Sequence, residues 1–155
     1  MGLFDKLFGK QKESSDADDF AKKVAGCAEQ AVDASRQRGG GVLDYSEESL
    51  KIVEEMLEEI AAGGVDAKSE SLVTVFGSYI LEVGRRQFGG KYSWYQKGNQ
   101  PVLVVGAPHF RIAIITFDRV RSRIRGNRED NIPFFFDGFS SQVRKAKPGD
   151  DKFYV

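Results

Sequence analysis

One cysteine, Cys27, and one histidine, His109, are all that 155 residues contain of either type. A lone cysteine cannot close an intramolecular disulfide, which fits a reducing compartment or one indifferent to thiols. So few soft ligands also argue against zinc sites, which draw on several of them, and no cofactor is expected. No apolar run approaches the roughly 18 residues that would cross a bilayer. The first residues lack the apolar core of a secretory signal, so the expected location is cytoplasmic. Motifs that announce chemistry are missing too: there is no GxxxxGK[ST], no GxGxxG after a strand, no HExxH and no GxSxG. Gly39-Gly40-Gly41 lacks the strand before and helix after that a phosphate loop needs. His109 follows a Gly-Ala-Pro turn, with no serine, cysteine or second histidine in a motif beside it, and reads as incidental.

Net charge is absent as well, but its balance is uneven. Residues 1–70 hold 9 Lys+Arg against 16 Asp+Glu, a net of −7, and residues 71–155 hold 14 against 7, a net of +7. Such asymmetry has two readings, a basic binding face or an acidic helical layer packed beside a basic one. The second is preferred, because charge balance speaks to association and solubility more than to fold. What the chain does have is apolar substance: 41% hydrophobic residues, 12 of them Phe, enough for one globular domain with its own core.

Three parts follow from the pattern: residues 1–15 as an amphipathic or disordered tail, 16–147 as a single α+β domain, and 148–155 as a polar C-terminal tail. In the first, Leu3, Phe4, Leu7 and Phe8 share one helical face, a candidate for lying in a membrane interface. Burying each contributes at most about 1.5–3 kcal/mol, less the cost of ordering a tail, so only weak membrane contact is expected. The alternatives are a tail docked on the domain or a disordered one. Gly2 fails as a myristoylation signal because Lys6 stands where Ser or Thr is required.

Ser15 or Asp16 opens a first helix to about Arg38, with Phe20, Val24, Cys27, Ala28 and Ala31 on one face, where Cys27 reads as a buried small hydrophobe. Ser46 opens a second with Leu50, Val53, Leu57 and Ile60 as its stripe, and its Glu54, Glu55, Glu58 and Glu59 read mainly as a solvated face. The stretch Val73–Gly90 organises the chain. Leu72, Val75, Phe76, Tyr79, Ile80 and Val83 recur at helical spacing, while Gly77 and Gly84 fall two turns apart on one stripe. Each interior glycine costs about 1 kcal/mol against alanine, so something must pack closely there.

Tyr92–Tyr95, Val102–Val105 and Arg111–Thr116, separated by the turns Lys97-Gly98-Asn99 and Gly106-Ala107-Pro108, predict a three-stranded antiparallel meander. Its near-continuous apolar runs imply cover on both faces of part of the sheet, expected from the helices. Phe117–Gly126 has two readings, a strand that places Arg119, Arg121, Arg123 and Arg125 on one face, or, preferred, a helix with Phe117, Val120 and Ile124 inward and Asp118 as its candidate cap. Asn131 caps a last helix containing Ile132, Phe135, Phe136, Phe139 and Val143, with Pro133 in its first turn. The fold class expected is α+β, about five helices on that sheet.

Two polar groups are candidates for chemistry. Glu82, Arg85 and Arg86 stand at i, i+3 and i+4 on the central helix, as a structural or surface ion pair or as the wall of a cleft. Arg119, Arg121, Arg123 and Arg125 form a candidate basic patch, and Tyr92, Trp94 and Tyr95 are aromatics that could stack on bases if exposed. Nucleic acid is disfavoured, because net charge is zero, no reader motif is present, and Asp118, Glu129 and Asp130 interrupt the basic run.

Leu43-Asp44-Tyr45-Ser46 before a helix, then Phe76-Gly77-Ser78-Tyr79-Ile80-Leu81-Glu82-Val83-Gly84-Arg85-Arg86, Phe88-Gly89-Gly90, a Trp strand and Phe117-Asp118-Arg119-Val120 together resemble a family of small bacterial proteins of unknown function. Its central pattern reads F-G-x-Y-x-x-E-x-x-R-R-x-x-G-G before an aromatic strand. The likeness covers about residues 43–143 and leaves out 1–40. It implies an α+β domain in bacteria and no established activity.

The expected function is therefore that of a non-enzymatic protein that binds another protein, as an accessory or immunity-type factor. The grounds are the empty catalytic inventory, the opposed charge halves and the aromatic run Phe134–Phe139. The alternatives are a peripheral membrane protein using residues 2–10 and an enzyme built on Glu82, Arg85 and Arg86. No oligomeric state follows from the sequence.

Overall fold

The computed structural model describes residues 14–155. Helix α1 (Ser14–Arg38) ends where Gly39 adopts a positive φ and donates its N–H to Ser35 O at 3.1 Å. Ala28 and Ala31 are fully buried on its inner face, where small side chains bring the helix close to its neighbour. Cys27 is only half-buried, at the edge of the apolar stripe it was expected to join. A turn at Ser46–Ser49 leads into α2 (Leu50–Ala62), which buries Leu50, Val53, Met56 and Leu57. Ile60 is only partly buried.

Helix α3 (Ser69–Phe88) follows and lies at the centre, buried without a break from Phe76 to Gly84. A helix buried all round, rather than on one stripe, is sandwiched between other elements. Here α1 packs along one side, and the sheet and the later helices take the others.

Strand β1 (Lys91–Tyr95) pairs antiparallel with β2 (Gln100–Val105), which pairs antiparallel with β3 (Arg111–Ile114). Asn99, at φ 51, closes the first turn. Two helices come next, α4 (Phe117–Ile124) and α5 (Ile132–Arg144). The expected helix over Phe117–Gly126 is thus present, but Asp118 lies in its first turn rather than at its cap, which Thr116 occupies. Asn131 does cap α5, its Oδ1 accepting from Phe134 N at 2.9 Å.

The chain is an α+β fold of five described helices, and its sheet departs from expectation. Residues 151–154, placed by sequence in a polar tail, form β4 (Asp151–Tyr154) and pair parallel with β3 in the order β1-β2-β3-β4. The sheet is therefore four-stranded and mixed, not a three-stranded antiparallel meander. Helices α4 and α5 supply the long crossover that parallel pairing needs. Four residues with two charges, behind Pro148 and Gly149, are too short to show a strand period. Their pairing comes from tertiary contacts: Arg111 N donates to Asp150 O at 2.8 Å, and Ile115 N to Tyr154 O at 3.0 Å.

Both interior glycines of α3 are explained by close neighbours. A Cβ on Gly77 would stand 2.4 Å from Phe117 Cδ1, and Thr116 Oγ1 donates to the Gly77 carbonyl at 2.7 Å. A Cβ on Gly84 would stand 2.9 Å from Leu103 Cδ2 of β2. The Phe117 ring seats the start of α4, whereas a leucine tip turns aside easily. Gly77→Ala is therefore expected to destabilise by about 1–3 kcal/mol through overpacking, outweighing about 1 kcal/mol of helix propensity regained. Gly84→Ala should lie near neutral. Urea unfolding of both variants decides it, and a Gly77→Ala midpoint at or above wild type would contradict the joint described here.

Candidate functional site

Glu82 lies in the most buried part of α3 and its carboxylate is 0% exposed. Arg85, one turn on, grips it with both arms of its guanidinium, Nε to Oε2 at 2.6 Å and Nη2 to Oε1 at 2.9 Å. Tyr92, the inward-facing residue of β1, donates its hydroxyl to Oε2 at 2.5 Å, and Arg86 Nε stands 3.5 Å from Oε1. Burial pushes the carboxyl up, but the hydrogen bonds from Arg85 and Tyr92 and the charges of Arg85 and Arg86 outweigh it, so the net shift is downward. The Tyr92 hydroxyl is pushed well up, by burial first and then by the Glu82 charge. Glu82 is an engaged anion, and Tyr92 keeps its proton.

Arg86 turns the other way and lies over the Tyr45 ring, 3.4 Å from its centroid. Tyr45 has a positive φ of 66°, its N–H donates to Tyr79 Oη at 2.9 Å, and its hydroxyl donates to Glu29 of α1 at 2.8 Å. Tyr79 Oη also shares a hydrogen bond with Ser49 Oγ at 2.6 Å. The predicted trio Glu82, Arg85 and Arg86 is thus brought together, within a polar tract that ties α1, the 39–49 loop, α3 and β1. Sequence reasoning had no view of Glu29, Tyr45 or Tyr92 in this tract.

The four arginines of the candidate patch do not share a face. Arg119 Nη1 meets Asp130 Oδ1 at 2.7 Å, and its guanidinium lies over the Phe135 ring. Arg121 reaches back to Glu70 of α3 and to Asp118. Arg123, 3% exposed, lies between Glu54 (2.7 Å) and Glu58 of α2. Arg125 is exposed just beyond the end of α4. The acidic face of α2 is correspondingly not simply solvated. Glu54 is turned inward, where its Oε1 also accepts from Ile132 N at 3.0 Å, Glu58 additionally meets Arg128 at 2.6 Å, and Glu59 meets Arg38 at 2.7 Å. Glu58, Glu59 and Glu70 all titrate below the ordinary range, chiefly through hydrogen bonds from Arg123, Arg38 and Arg121 respectively. The preferred reading of the charge asymmetry, acidic layer against basic layer, is what the structure shows.

A groove of about 360 Å³ opens between the first turns of α2 and α5, lined in part by Leu50, Pro133, Phe134 and Phe136. Leu50 and Phe136 are buried beneath it, while Phe134 is 80% exposed. Glu47, Glu48 and Asp137 give the rim a negative character against one Lys51, and Glu47 is held by Arg144. The aromatic run Phe134–Phe139, one ground for expecting a binding protein, divides between core and surface here. Phe135, Phe136 and Phe139 follow the inward stripe of α5, and Phe134 falls off it.

His109 is exposed in the turn between β2 and β3. Among the described residues no group of three or more His, Cys, Asp or Glu is placed to hold a metal ion, and no helix is long and apolar enough to cross a membrane. Leu3, Phe4, Leu7 and Phe8 lie outside the described residues.

The Glu82 cluster makes stability depend on acid in a stated direction. A carboxyl whose folded pKa is lowered stabilises fully above its unfolded value, ordinarily 4.5, and that stabilisation is lost as pH falls through the folded value. Glu82→Gln is expected to cost about 3–5 kcal/mol at neutral pH by breaking a buried pair. Its unfolding free energy should then fall less steeply than wild type as the solution is acidified below pH 4.5. Chemical denaturation across that range measures both, and a variant with the wild-type acid slope would contradict the assignment.

Compared with protein-family models, with curated proteins and with solved structures, the chain matches none.

Proposed function

We propose that this chain is a non-enzymatic cytoplasmic bacterial protein, an accessory or immunity-type factor, that acts by binding another protein at the α2/α5 groove. The observation that carries this reading is Phe134, a large aromatic 80% exposed at the lip of a groove floored by apolar side chains. It is not on a loose loop. The Asn131 cap and Pro133 fix the first turn of α5 beneath it, so the ring is presented at little entropic cost. Exposed aromatics of this kind are the usual anchors of protein interfaces.

The surroundings state the chemistry of the partner. Glu48 and Asp137 beside an apolar floor suit an apolar side chain flanked by lysine or arginine. The binding reading is also favoured by where the charges are spent. Helices α2, α3 and α4 answer each other's ions, Arg144 of α5 holds Glu47 in the turn before α2, and the Glu82 oxygens are engaged by Arg85 and Tyr92.

The test is capture from source-cell lysate by the full chain, by a version beginning at Ser14 and by Phe134→Ser in the full chain. The expected result is one stoichiometric protein recovered by the first two and lost with Phe134→Ser. That substitution, at an exposed position, should shift stability by no more than about 0.5 kcal/mol. Capture indifferent to Phe134→Ser would overturn the reading. Recovery of membrane material by the full chain alone would transfer it to the Leu3, Phe4, Leu7 and Phe8 face.

A further inference from the structure

The α2/α5 groove does not end at Phe134. A second depression, of about 700 Å³, follows it along α2, with Glu55 and Glu59 on the helix side and Arg128 and Asn131 on the other. The two are consecutive. Lys51 lines the first and Glu54 the second, while Pro133 and Asn131 divide the facing wall between them. Glu48, Lys51, Glu55 and Glu59 are exposed at spacings of three, four and four, one stripe beside both depressions. The acids here are not equally engaged. Glu59 holds Arg38 Nη2 at 2.7 Å, whereas Glu55 reaches the same nitrogen at 3.4 Å and is 62% exposed. Glu48 and Asp137 form no ion pair among the described residues. Arg128, on the facing wall, already answers Glu58 at 2.6 Å. What the groove leaves unmatched is acid, with Lys51 alone against it.

We propose that the partner lays a basic amphipathic helix along α2 and fills both depressions, with an apolar side chain between Phe134 and Leu50 and a lysine or arginine at Glu55. This deepens the α2/α5 reading and rests on it. The form of the partner follows from the walls. The backbone groups of α2 are spent within the helix, and the N–H groups that open α5 are taken by Glu54 and Asn131. An extended segment would find no backbone donors to pair with there. A helix satisfies its own main chain and presents side chains alone, the arrangement of a helix-in-groove complex. The spacing follows from the helical rise. Leu50 and Glu55 stand about 7.5 Å apart along the axis. A cation four residues beyond the apolar anchor of the partner advances about 6 Å, and the rest lies within reach of a long side chain. The charge follows from Glu48, Asp137 and Glu55, which repel an acidic helix and steer a basic one. The same acids disfavour a second copy of this chain, which would bring its own Glu48 and Asp137 against them.

The test adds the full chain to dye-labelled peptides of about 18 residues, five turns of helix, and reads fluorescence anisotropy. One peptide is built of Leu and Lys, the other of Leu and Glu. The Leu/Lys helix should bind and the Leu/Glu helix should not. Phe134→Ser and Glu55→Lys should each weaken binding about tenfold. Glu55→Gln should fall between, and it keeps the test open should Glu55→Lys unsettle Arg38. Asp18→Lys makes the same change of charge at an exposed position, about 30 Å along α1 from Arg38. Salt screens it from the groove, so it should weaken binding by less than about twofold. Equal binding of the two peptides, or none by the Leu/Lys helix, would overturn the proposal. Loss with Phe134→Ser but with neither Glu55 variant would also sink it, while leaving the shorter α2/α5 contact standing. Loss with Glu55→Lys but not with Phe134→Ser would remove both readings. Self-association of the chain that Phe134→Ser abolishes would give the groove to a second copy and refute the proposed helix.

Discussion

A carboxylate with no solvent exposure is the constraint from which much of this structure follows. Leaving Glu82 charged in the interior costs several kcal/mol unless its oxygens are met by donors of good geometry. Arg85 comes from the same helix and is close by virtue of the i, i+3 spacing. Tyr92 does not, and its hydroxyl must be brought from the next element. Meeting that need sets β1 against α3, and with β1 placed, the antiparallel register Tyr92↔Leu103 puts Leu103 onto Gly84. Gly90, where a Cβ would stand 2.5 Å from the Val104 carbonyl, lets the chain turn from helix into strand this tightly. With Arg85 committed, Arg86 is directed to the Tyr45 ring and holds the 39–49 loop over the helix.

What the sequence disclosed was what is local and periodic. The five helices, the hairpin at Lys97-Gly98-Asn99 and the Asn131 cap are written in spacing and turn chemistry, and each is present. The two glycines announced a close approach, and Phe117 and Leu103 are the close neighbours. What it hid depends on partners distant along the chain. Residues 151–154 are a strand only because β3 offers an edge and Tyr154 packs on Phe139. Glu54 looked like one more solvent-facing acid of α2, and only α4, almost 70 residues later, turns it inward. Within the candidate site, Glu82 and Arg85 were legible from one helix, whereas Tyr92 and Tyr45 required the fold. The motif pattern that runs from Phe76 to Gly90 is accounted for in the same terms. Gly77 seats Phe117, Tyr79 holds the loop, Glu82 with Arg85 ties helix to strand, and Arg86 covers Tyr45.

The alternating arginines of α4 have a mechanical explanation that bears on function. At eight residues the helix is too short to persist alone, and its apolar side rests on Phe117, Val120 and Ile124. Three arginines, Arg119, Arg121 and Arg123, in register with none of those positions let it reach outward in several directions. One guanidinium goes to α3 through Glu70, another to α2 through Glu54 and Glu58, and a third to Asp130 and the Phe135 ring. Glu54 and Glu58 are one turn apart, so Arg123 between them fixes how far α4 slides along α2, which an apolar side chain would not do as sharply. Buried ion pairs of this type add little net stability and are best understood as setting register. A guanidinium engaged in this way is a poor phosphate ligand, since recruiting Arg123 to a nucleic acid would strip Glu54 and Glu58 of their partner in a desolvated place. The pairs of Arg121, Arg123, Arg128 and Arg144 with Glu70, Glu54, Glu58 and Glu47 join the basic half of the chain to the acidic one. Phe134 is the most exposed apolar ring among the described residues and belongs to none of these ties.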